Sequence, residues 1–209
     1  MALSPILLFI NERFIDPKFG IKEIPETEKK YDEIHKHHDI IIAGFGHFGS
    51  TLGRFLRANG KEATILDSDS DQVELLRKMG FNVYFGDATR VDLLKSAGAE
   101  QAKVLVCALN SMEDSLRLAE TAKKHFPHLK IFMRAKHRFE AYEFFDKGVN
   151  HVYRESVHAS VYLGVDILKT LGRRAYTSTR KAQEFLKYDE AALVKLSKEF
   201  KDTENYILK

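Results

Sequence analysis

The sequence predicts an α/β fold, a Rossmann-like doubly wound parallel sheet of six strands, with an N-terminal linker and a C-terminal helical extension. Short apolar runs alternate with helical patterns between residues 39 and 154, which is typical of a parallel sheet with helices on both faces. The first apolar run leads directly into Gly44-Phe45-Gly46-His47-Phe48-Gly49. This glycine spacing is typical of the turn between the first strand and the first helix of such a sheet.

Each predicted element has its own sequence signals. Strands are expected near residues 39–43, 63–67, 82–85, 103–108, 130–134 and 150–153. Helices are expected between them, near residues 48–59, 70–79, 90–97, 112–125 and 138–147. Glycines, a common helix stop signal, follow four of these helices, at Gly60, Gly80, Gly98 and Gly148. Asp69 and Ser111 are placed to cap the helices that start after them.

The C-terminal part, residues 155–209, is predicted to be helical. Residues 156–171 carry an apolar stripe, and residues 179–209 have apolar positions that need a surface to bury them. A second subunit or a larger protein could cover this apolar face, or the tail could fold back on its own domain. The sequence leaves both alternatives open.

Composition limits the classes of function. The net charge of +3 is too small and too scattered to indicate nucleic-acid binding. The single cysteine, Cys107, cannot form an internal disulfide, which fits a reducing compartment. No segment approaches the roughly 20 apolar residues that span a bilayer. The apolar residues 3–10 are either the cytoplasmic end of a membrane helix or a short helix packed on the core, and the polar residues 11–37 are predicted to be a linker.

The glycine loop and the strand after it predict a nucleotide site. Gly44 allows a tight turn, Gly46 lets the backbone approach a phosphate, and Gly49 lets the helix pack against the strand. The N–H groups and dipole of the new helix favour a phosphate. The second strand ends in Asp67, which can accept hydrogen bonds from ribose hydroxyls and would repel a 2′-phosphate, so adenosine or NAD is favoured over NADP. The alternative is a domain whose glycines only make a tight turn.

Further candidates for the nucleotide site follow other predicted strands. We include Ser68, next to Asp67, and Asn110, which follows the fourth strand. The third strand is followed by Asp87, Ala88 and Thr89. Asp87 and Thr89 could reach the adenine edge or cap the helix that begins near residue 90, and the sequence does not decide between these roles.

The chain shows no sign of a catalytic half. A nicotinamide-dependent dehydrogenase needs a substrate site with an acid or base besides its cofactor fold, and only about 55 residues follow the sixth strand. None of the eight tyrosines is followed by lysine four residues later, so the Tyr-x-x-x-Lys pair of short-chain dehydrogenases is absent. A nucleotide-binding domain of this kind predicts a sensor rather than an enzyme.

Several segments resemble the cytoplasmic regulatory domain of Kef-type glutathione-gated potassium efflux systems, of the KTN (RCK, TrkA-N) class. They are residues 40–49, residues 86–98, residues 125–131 and Arg134-Ala135. The similarity covers about residues 39–172. It implies that residues 1–10 end the last transmembrane helix, residues 11–37 form the linker, residues 38–154 form the nucleotide-binding domain, and residues 155–209 form a dimer and regulatory extension.

The resemblance also implies a function and a set of ligands. The domain would gate a bacterial K⁺/H⁺ antiporter-like channel of the same polypeptide in the inner membrane, with AMP or NAD(H) in the crevice. Glutathione would close the channel and its S-conjugates would open it, from a site at the interface of a homodimer. The basic side chains implied there are Arg134, Arg154 and His47, where relatives often have arginine. For Arg134, the alternative is a structural ion pair, since a guanidinium can hold a carboxylate of either origin.

Partners and alternatives complete these expectations. An ancillary flavin oxidoreductase is a candidate partner, and nucleic acid is not. Two other classes of function stay open: a subunit of an NAD-dependent oxidoreductase, and a peripheral nucleotide-sensing subunit of a Trk- or Ktr-type potassium transporter.

Overall fold

The computed structural model describes residues 38–207, with side chains for residues 38–199. The predicted membrane-helix end at residues 1–10 and the linker at residues 11–37 lie outside the described residues. Within them, the strands are β1 (Ile40–Ala43), β2 (Thr64–Asp67), β3 (Val83–Phe85), β4 (Val104–Cys107), β5 (Lys130–Ala135) and β6 (His151–Arg154). The helices are α1 (His47–Ala58), α2 (Ser70–Lys78), α3 (Val91–Ser96), α4 (Met112–His125), α5 (Arg138–Asp146), α6 (Val157–Thr170) and α7 (Ala175–Ile207).

The strands form one parallel sheet in the order β3-β2-β1-β4-β5-β6. β1 lies at the centre, where Ile42 pairs in register with Ile65 of β2 and Val106 of β4. The central strand β1 is a continuous apolar run because helices cover both of its faces. The predicted six-stranded Rossmann-like fold is confirmed.

Two apolar cores lie on opposite faces of the sheet, since successive side chains of a strand alternate in direction. Ile41 and Leu105 belong to the core beneath α3, α4 and α5, which also includes Leu193 of α7. Ile42 and Val106 belong to the core beneath α1 and α2. The second core covers mainly the half of the sheet made by β1, β2 and β3.

The other half of that second face remains an apolar groove. It is lined by α1 and by strands β1, β4, β5 and β6, through Ile40, Phe48, Leu52, Leu56, Val104, Val106, Phe132, Met133 and Tyr153. Phe132 stacks on His151, with ring centroids 4.6 Å apart. Helix α6, which follows this edge of the sheet, exposes the large apolar side chains of Tyr162, Leu163, Ile167 and Leu171.

Helix α7 packs partly on its own domain, which is one of the two alternatives that the sequence left open for the C-terminal residues. Ala182 and Leu193 are buried, so one stripe of the helix folds back on its own domain. Asp189 reinforces this packing because its carboxylate binds Arg138 of α5 and Arg154 of β6. Phe185 and Tyr188 remain exposed on the same helix, so the domain covers only part of the apolar surface. Among the described residues, no helix is both long enough and apolar enough to cross a membrane.

The predicted helix signals are confirmed in detail. The carboxylate of Asp69 accepts hydrogen bonds from the backbone N–H groups of Asp71 and Gln72, and Ser111 caps α4 through the N–H of Asp114. The four predicted stop glycines all have positive φ angles, as expected for residues that end helices in the left-handed region.

Candidate functional site

A crevice of about 600 Å³ opens beside the carboxyl ends of β1 and β4. The strand order reverses between these two strands, and ligands of doubly wound sheets bind at such a switch point. Gly44 ends β1 with a φ of +89°. A Cβ at Gly44 would lie 2.7 Å from the Ala108 carbonyl oxygen, so only glycine lets the two strand ends approach this closely.

The other two glycines of the loop have different steric surroundings. A Cβ at Gly49 would lie 2.1 Å from the carbonyl oxygen of Gly44, so this glycine allows α1 to start directly against the turn. A Cβ at Gly46 would meet no atom within 4 Å. The protein therefore needs no glycine at position 46 for its own packing, and the open space in front of Gly46 is available to a ligand.

The N-terminus of α1 is open to this space. Its first turn has no acidic side chain, and its N-cap residue Gly46 supplies no side-chain cap. Since the first N–H groups of a helix lack intrahelical partners and carry a partial positive charge, this end of α1 is electrostatically suited to a phosphate.

Asp67 lies beside the loop at the end of β2 and holds it in place. Its Oδ2 accepts a hydrogen bond from the Phe45 N–H at 2.7 Å, and its Oδ1 accepts one from the Asp69 N–H at 2.9 Å. A carboxylate has about four acceptor positions, so Asp67 retains capacity for ribose hydroxyls. The Phe45 side chain is fully buried and packs on Phe81, so Phe45 offers only its backbone to the crevice.

The end of β3 lies next to Asp67, since the Gly86 N–H donates to the Asp67 carbonyl oxygen at 2.8 Å. Asp87 accepts a hydrogen bond from the Thr89 N–H at 2.9 Å and thereby closes the turn before α3. Of the two roles that the sequence left open for Asp87 and Thr89, helix capping is not observed, because α3 starts after Arg90 with no side-chain cap. Ala88 and Thr89 are buried, whereas Ser68 is exposed beside Asp67.

Arg134 of β5 lies across the far side of the crevice and is 7% exposed. Its Nη1 pairs with Glu155 at 3.1 Å, and its Nη2 donates to the Leu109 carbonyl oxygen at 2.6 Å and to Asn110 Oδ1 at 3.2 Å. The structural ion pair considered for Arg134 is thus present. The Nε atom is buried without a hydrogen-bond partner, so the guanidinium retains an unused donor.

The crevice has an excess of positive charge at this end. Lys136 follows Arg134 on the same side of the strand end, and its Nζ donates to the Asn110 carbonyl oxygen at 2.6 Å. Glu155 is the carboxylate among the lining residues, and His47 lies at the opposite rim. Two cations against one anion favour a ligand that carries negative charge. No group of described side chains is placed to hold a metal ion.

Several predicted site residues do not line the crevice, and two of them, Phe48 and Arg154, have their contacts elsewhere. Phe48 lines the apolar groove on the other side of α1. Arg154 binds Asp189, which also accepts a hydrogen bond from Arg138 Nη2 at 2.7 Å. Burial alone would raise the pKa of Asp189, but the hydrogen bonds and charges of the two arginines outweigh it, and the pKa is lowered. Arg154 is therefore engaged by α7 and does not face the nucleotide loop.

Some residues of the crevice have no distinctive signal in the sequence. Ser50 and Gln72 line it from α1 and α2. A helical pattern does not show which polar side chain of a helix contacts a loop that is distant in the sequence. Lys136 was detectable, because Arg134 and Lys136 are two residues apart at a strand end, and such residues point to the same side.

Two family models match the chain. The model of the TrkA-N domain matches residues 40–155, and the model of the potassium efflux system KefB C-terminal domain matches residues 159–209. The first covers more than half of the chain, and the second covers α7 and all but the first two residues of α6.

Solved structures share the fold. The Shewanella denitrificans Kef CTD in AMP bound form is 39% identical, with a TM-score of 0.69 over 76% of this chain and 96% of that chain. The TrkA-N domain of inner membrane protein ybaL from Escherichia coli is 22% identical, with a TM-score of 0.56 over 62% of this chain and 96% of that chain. The GsuK channel bound to NAD is 22% identical, with a TM-score of 0.57 over 78% of this chain and 30% of that chain.

The last two similarities show the fold alone, whereas the Kef relative and the KefB model also confirm the resemblance read from the sequence. This chain belongs to the TrkA-N family and, with its KefB C-terminal domain, is the regulatory part of a Kef potassium efflux system.

Proposed function

We propose that this chain is the cytoplasmic ligand-gating domain of a bacterial glutathione-regulated potassium efflux system that exchanges K⁺ for H⁺. The observation that carries the proposal is the open space at Gly46, in front of the uncapped N-terminus of α1 and beside Asp67. A 39% identical Kef domain has been solved in its AMP bound form, which supports an adenosine nucleotide as the occupant.

AMP or NAD(H) would bind in the crevice. The N–H groups at the start of α1 would hold a phosphate, and Asp67 would accept hydrogen bonds from the ribose hydroxyls. Asp87 and the Asn110 side chain would border the nucleotide from the two neighbouring strand ends. Bound nucleotide would stabilise the folded domain in proportion to its concentration over its Kd.

Glutathione and its S-conjugates would bind at the positive end of the crevice. Arg134 has a buried Nε without an acceptor, and a carboxylate of the tripeptide would supply one. His47 lies across the crevice and would contribute a further contact. Arg154 would join the site only after leaving Asp189, so a ligand that recruits it would also weaken the packing of α7.

A homodimer would complete the site. The apolar groove at Phe48, Leu52 and Phe132 is unpartnered in one chain, and helix α6 exposes Tyr162 and Ile167. The α6 helix of a second copy has the apolar face that this groove requires. A membrane-embedded antiporter-like domain of the same polypeptide would be the gated partner, and an ancillary flavin oxidoreductase would dock on the exposed surface of the domain.

Gating requires that two ligands of one site favour two different states. Glutathione and an S-conjugate differ only in the sulfur substituent, so that substituent must contact an element that differs between closed and open states. We propose that it displaces an apolar side chain of α6. A ligand without such a difference in contacts would bind and leave the channel unchanged.

Calorimetry tests the proposal in two steps. The chain is first titrated with AMP, NAD⁺ and NADP⁺, and we expect the first two to bind more tightly because Asp67 repels a 2′-phosphate. AMP-loaded protein is then titrated with glutathione and with a bulky S-conjugate, which should compete for one site. Absence of nucleotide binding would refute the nucleotide assignment, and nucleotide binding without either thiol-derived ligand would refute the glutathione assignment.

A matched pair of arginine variants locates the second site. Arg134→Lys keeps the positive charge but loses the planar set of donors, so we expect weaker glutathione binding. Arg117→Lys changes an arginine on the surface of α4, whose side chain is 53% exposed, and should bind glutathione as the wild type does. Equal affinities of the two variants would contradict the role given to Arg134.

A further inference from the structure

We infer that Gln72 is a positioning residue of the nucleotide site, because its side chain holds the Phe45–Gly46 peptide with the Gly46 N–H directed toward a bound phosphate. This inference rests on the proposed nucleotide site. Gln72 lies in the first turn of α2 and reaches the glycine loop across 27 residues of sequence.

The contact is a hydrogen bond from Gln72 Nε2 to the Phe45 carbonyl oxygen, at 2.8 Å. The Phe45 carbonyl and the Gly46 N–H belong to the same planar peptide, which is trans. In a trans peptide the C=O and N–H point in opposite directions. Fixing the carbonyl toward Gln72 therefore also fixes the N–H, which points in the opposite direction within the peptide plane, away from α2.

The preceding peptide is fixed by a second side chain. The Phe45 N–H donates to Asp67 Oδ2 at 2.7 Å. Both backbone polar groups of Phe45 thus bind side chains, one at the end of β2 and the other on α2. Together these bonds restrict rotation on either side of Phe45, and the loop is held before any ligand arrives.

Packing cannot replace this clamp at Gly46. Glycine has no side chain to anchor the peptide, and a Cβ there would touch no atom within 4 Å. No described residue accepts a hydrogen bond from the Gly46 N–H. Its direction is therefore set from the carbonyl side of the peptide, where Gln72 binds.

Gln72 is itself well supported. Its backbone N–H donates to the N-cap Asp69 at 3.1 Å, and the buried Val73 and Leu76 fix α2 on the sheet. The Gln72 side chain is partly buried at the rim of the crevice, so water competes less for its hydrogen bond than at an open surface.

The inference predicts a selective loss. Without the Gln72 donor, the Phe45–Gly46 peptide samples other orientations. A ligand with a phosphate must then order this peptide when it binds, and the free-energy cost of that ordering lowers its affinity. Adenosine lacks the phosphate, so its affinity does not depend on this N–H. One net hydrogen bond corresponds to AMP binding that is about threefold to tenfold weaker.

The test compares AMP with adenosine in matched variants of the whole chain. Gln72→Met keeps the length of the side chain without its donor, Gln72→Leu is a second variant in case the first folds poorly, and Glu74→Met changes an exposed position on the same helix. AMP affinity is measured by calorimetry and adenosine affinity by displacement of AMP. We expect weaker AMP binding and unchanged adenosine binding for the Gln72 variants, and neither change for Glu74→Met.

Other outcomes overturn the inference in distinguishable ways. Equal weakening of AMP and adenosine would show that Gln72 supports only the general fold of the crevice. Unchanged AMP binding in a Gln72 variant would show that the N–H needs no clamp. If the wild-type chain bound no AMP, the proposed nucleotide site itself would be refuted, and the inference with it.

Discussion

The substitution Gly46→Ala tests whether this glycine is required for ligand binding or for the stability of the fold. Gly46 has a φ of −64°, and a Cβ there would meet no protein atom within 4 Å. Alanine adopts this φ readily, and removing a glycine stabilises a compatible site by about 0.4–1 kcal/mol through the unfolded state. Alanine is a poorer N-cap residue than glycine by a comparable amount. The two effects offset each other, so the free energy of unfolding should change by less than about 1 kcal/mol.

The neighbouring glycines provide the contrast. Gly44→Ala combines a positive φ with a Cβ 2.7 Å from the Ala108 carbonyl oxygen. Left-handed backbone costs a non-glycine residue about 1–2 kcal/mol, and overpacking adds about 1–3 kcal/mol. Gly49→Ala would bring its Cβ to 2.1 Å from the Gly44 carbonyl oxygen, which the backbone can relieve only by moving. Both substitutions should lower the free energy of unfolding by about 2 kcal/mol or more.

Gly46→Ala, the substitution that should least affect stability, should strongly weaken AMP binding. The Cβ of Gly46→Ala occupies the space assigned to the phosphate and blocks hydrogen bonds worth about 1.5–3 kcal/mol each. AMP affinity should therefore fall by about tenfold to a hundredfold. Denaturant titration measures stability, and calorimetry measures affinity. A Gly46→Ala variant that binds AMP like the wild type would refute the phosphate assignment.

Three further predictions concern the ribose contact, the C-terminal helix and the dimer. Asp67→Ala should weaken AMP binding at least tenfold in calorimetry, since it removes charge-assisted hydrogen bonds; unchanged affinity would exclude the ribose role. The folded-state pKa of Asp189 is lowered, so its stabilising contribution is fully present above the unfolded pKa of about 3.9 and is lost as the pH falls from there through the lower folded-state pKa. The stability difference between the wild type and Asp189→Asn, from denaturant titrations, should therefore shrink from about pH 5 to pH 3; a constant difference would contradict the clamp. Phe132→Asp should yield monomers in light scattering, because it places a charge in the apolar groove; persistent dimers would exclude this surface.

The fold was predictable because its signals are local. Most strands are short apolar runs, four helices are followed by a stop glycine, and Asp69 and Ser111 cap helices as their sequence positions indicate. The glycine loop was equally readable, since Gly44 and Gly49 report steric limits of the backbone itself. Apart from the Ala108 carbonyl group beside Gly44, these features depend on neighbours within a few residues, which a sequence displays directly.

The parts that were not predictable depend on distant contacts. Gln72 reaches the loop because of how α2 packs on the sheet, which helical periodicity does not specify. The pairing of Arg154 with Asp189 spans 35 residues and requires α7 to fold back, an outcome that the apolar pattern left open. Asp87 closes a turn and does not cap α3. The sequence did not distinguish the two roles, because both use the same residue type before a helix.

The most direct test of the nucleotide site is a titration of the chain with AMP, followed by amide NMR. The account predicts the largest shifts at the N–H groups of Gly46 and His47, with smaller shifts around Asp67. The amides that line the apolar groove near Phe132 should remain unchanged. Largest shifts at the groove, or no shifts at the glycine loop, would contradict the assignment of this crevice to a nucleotide.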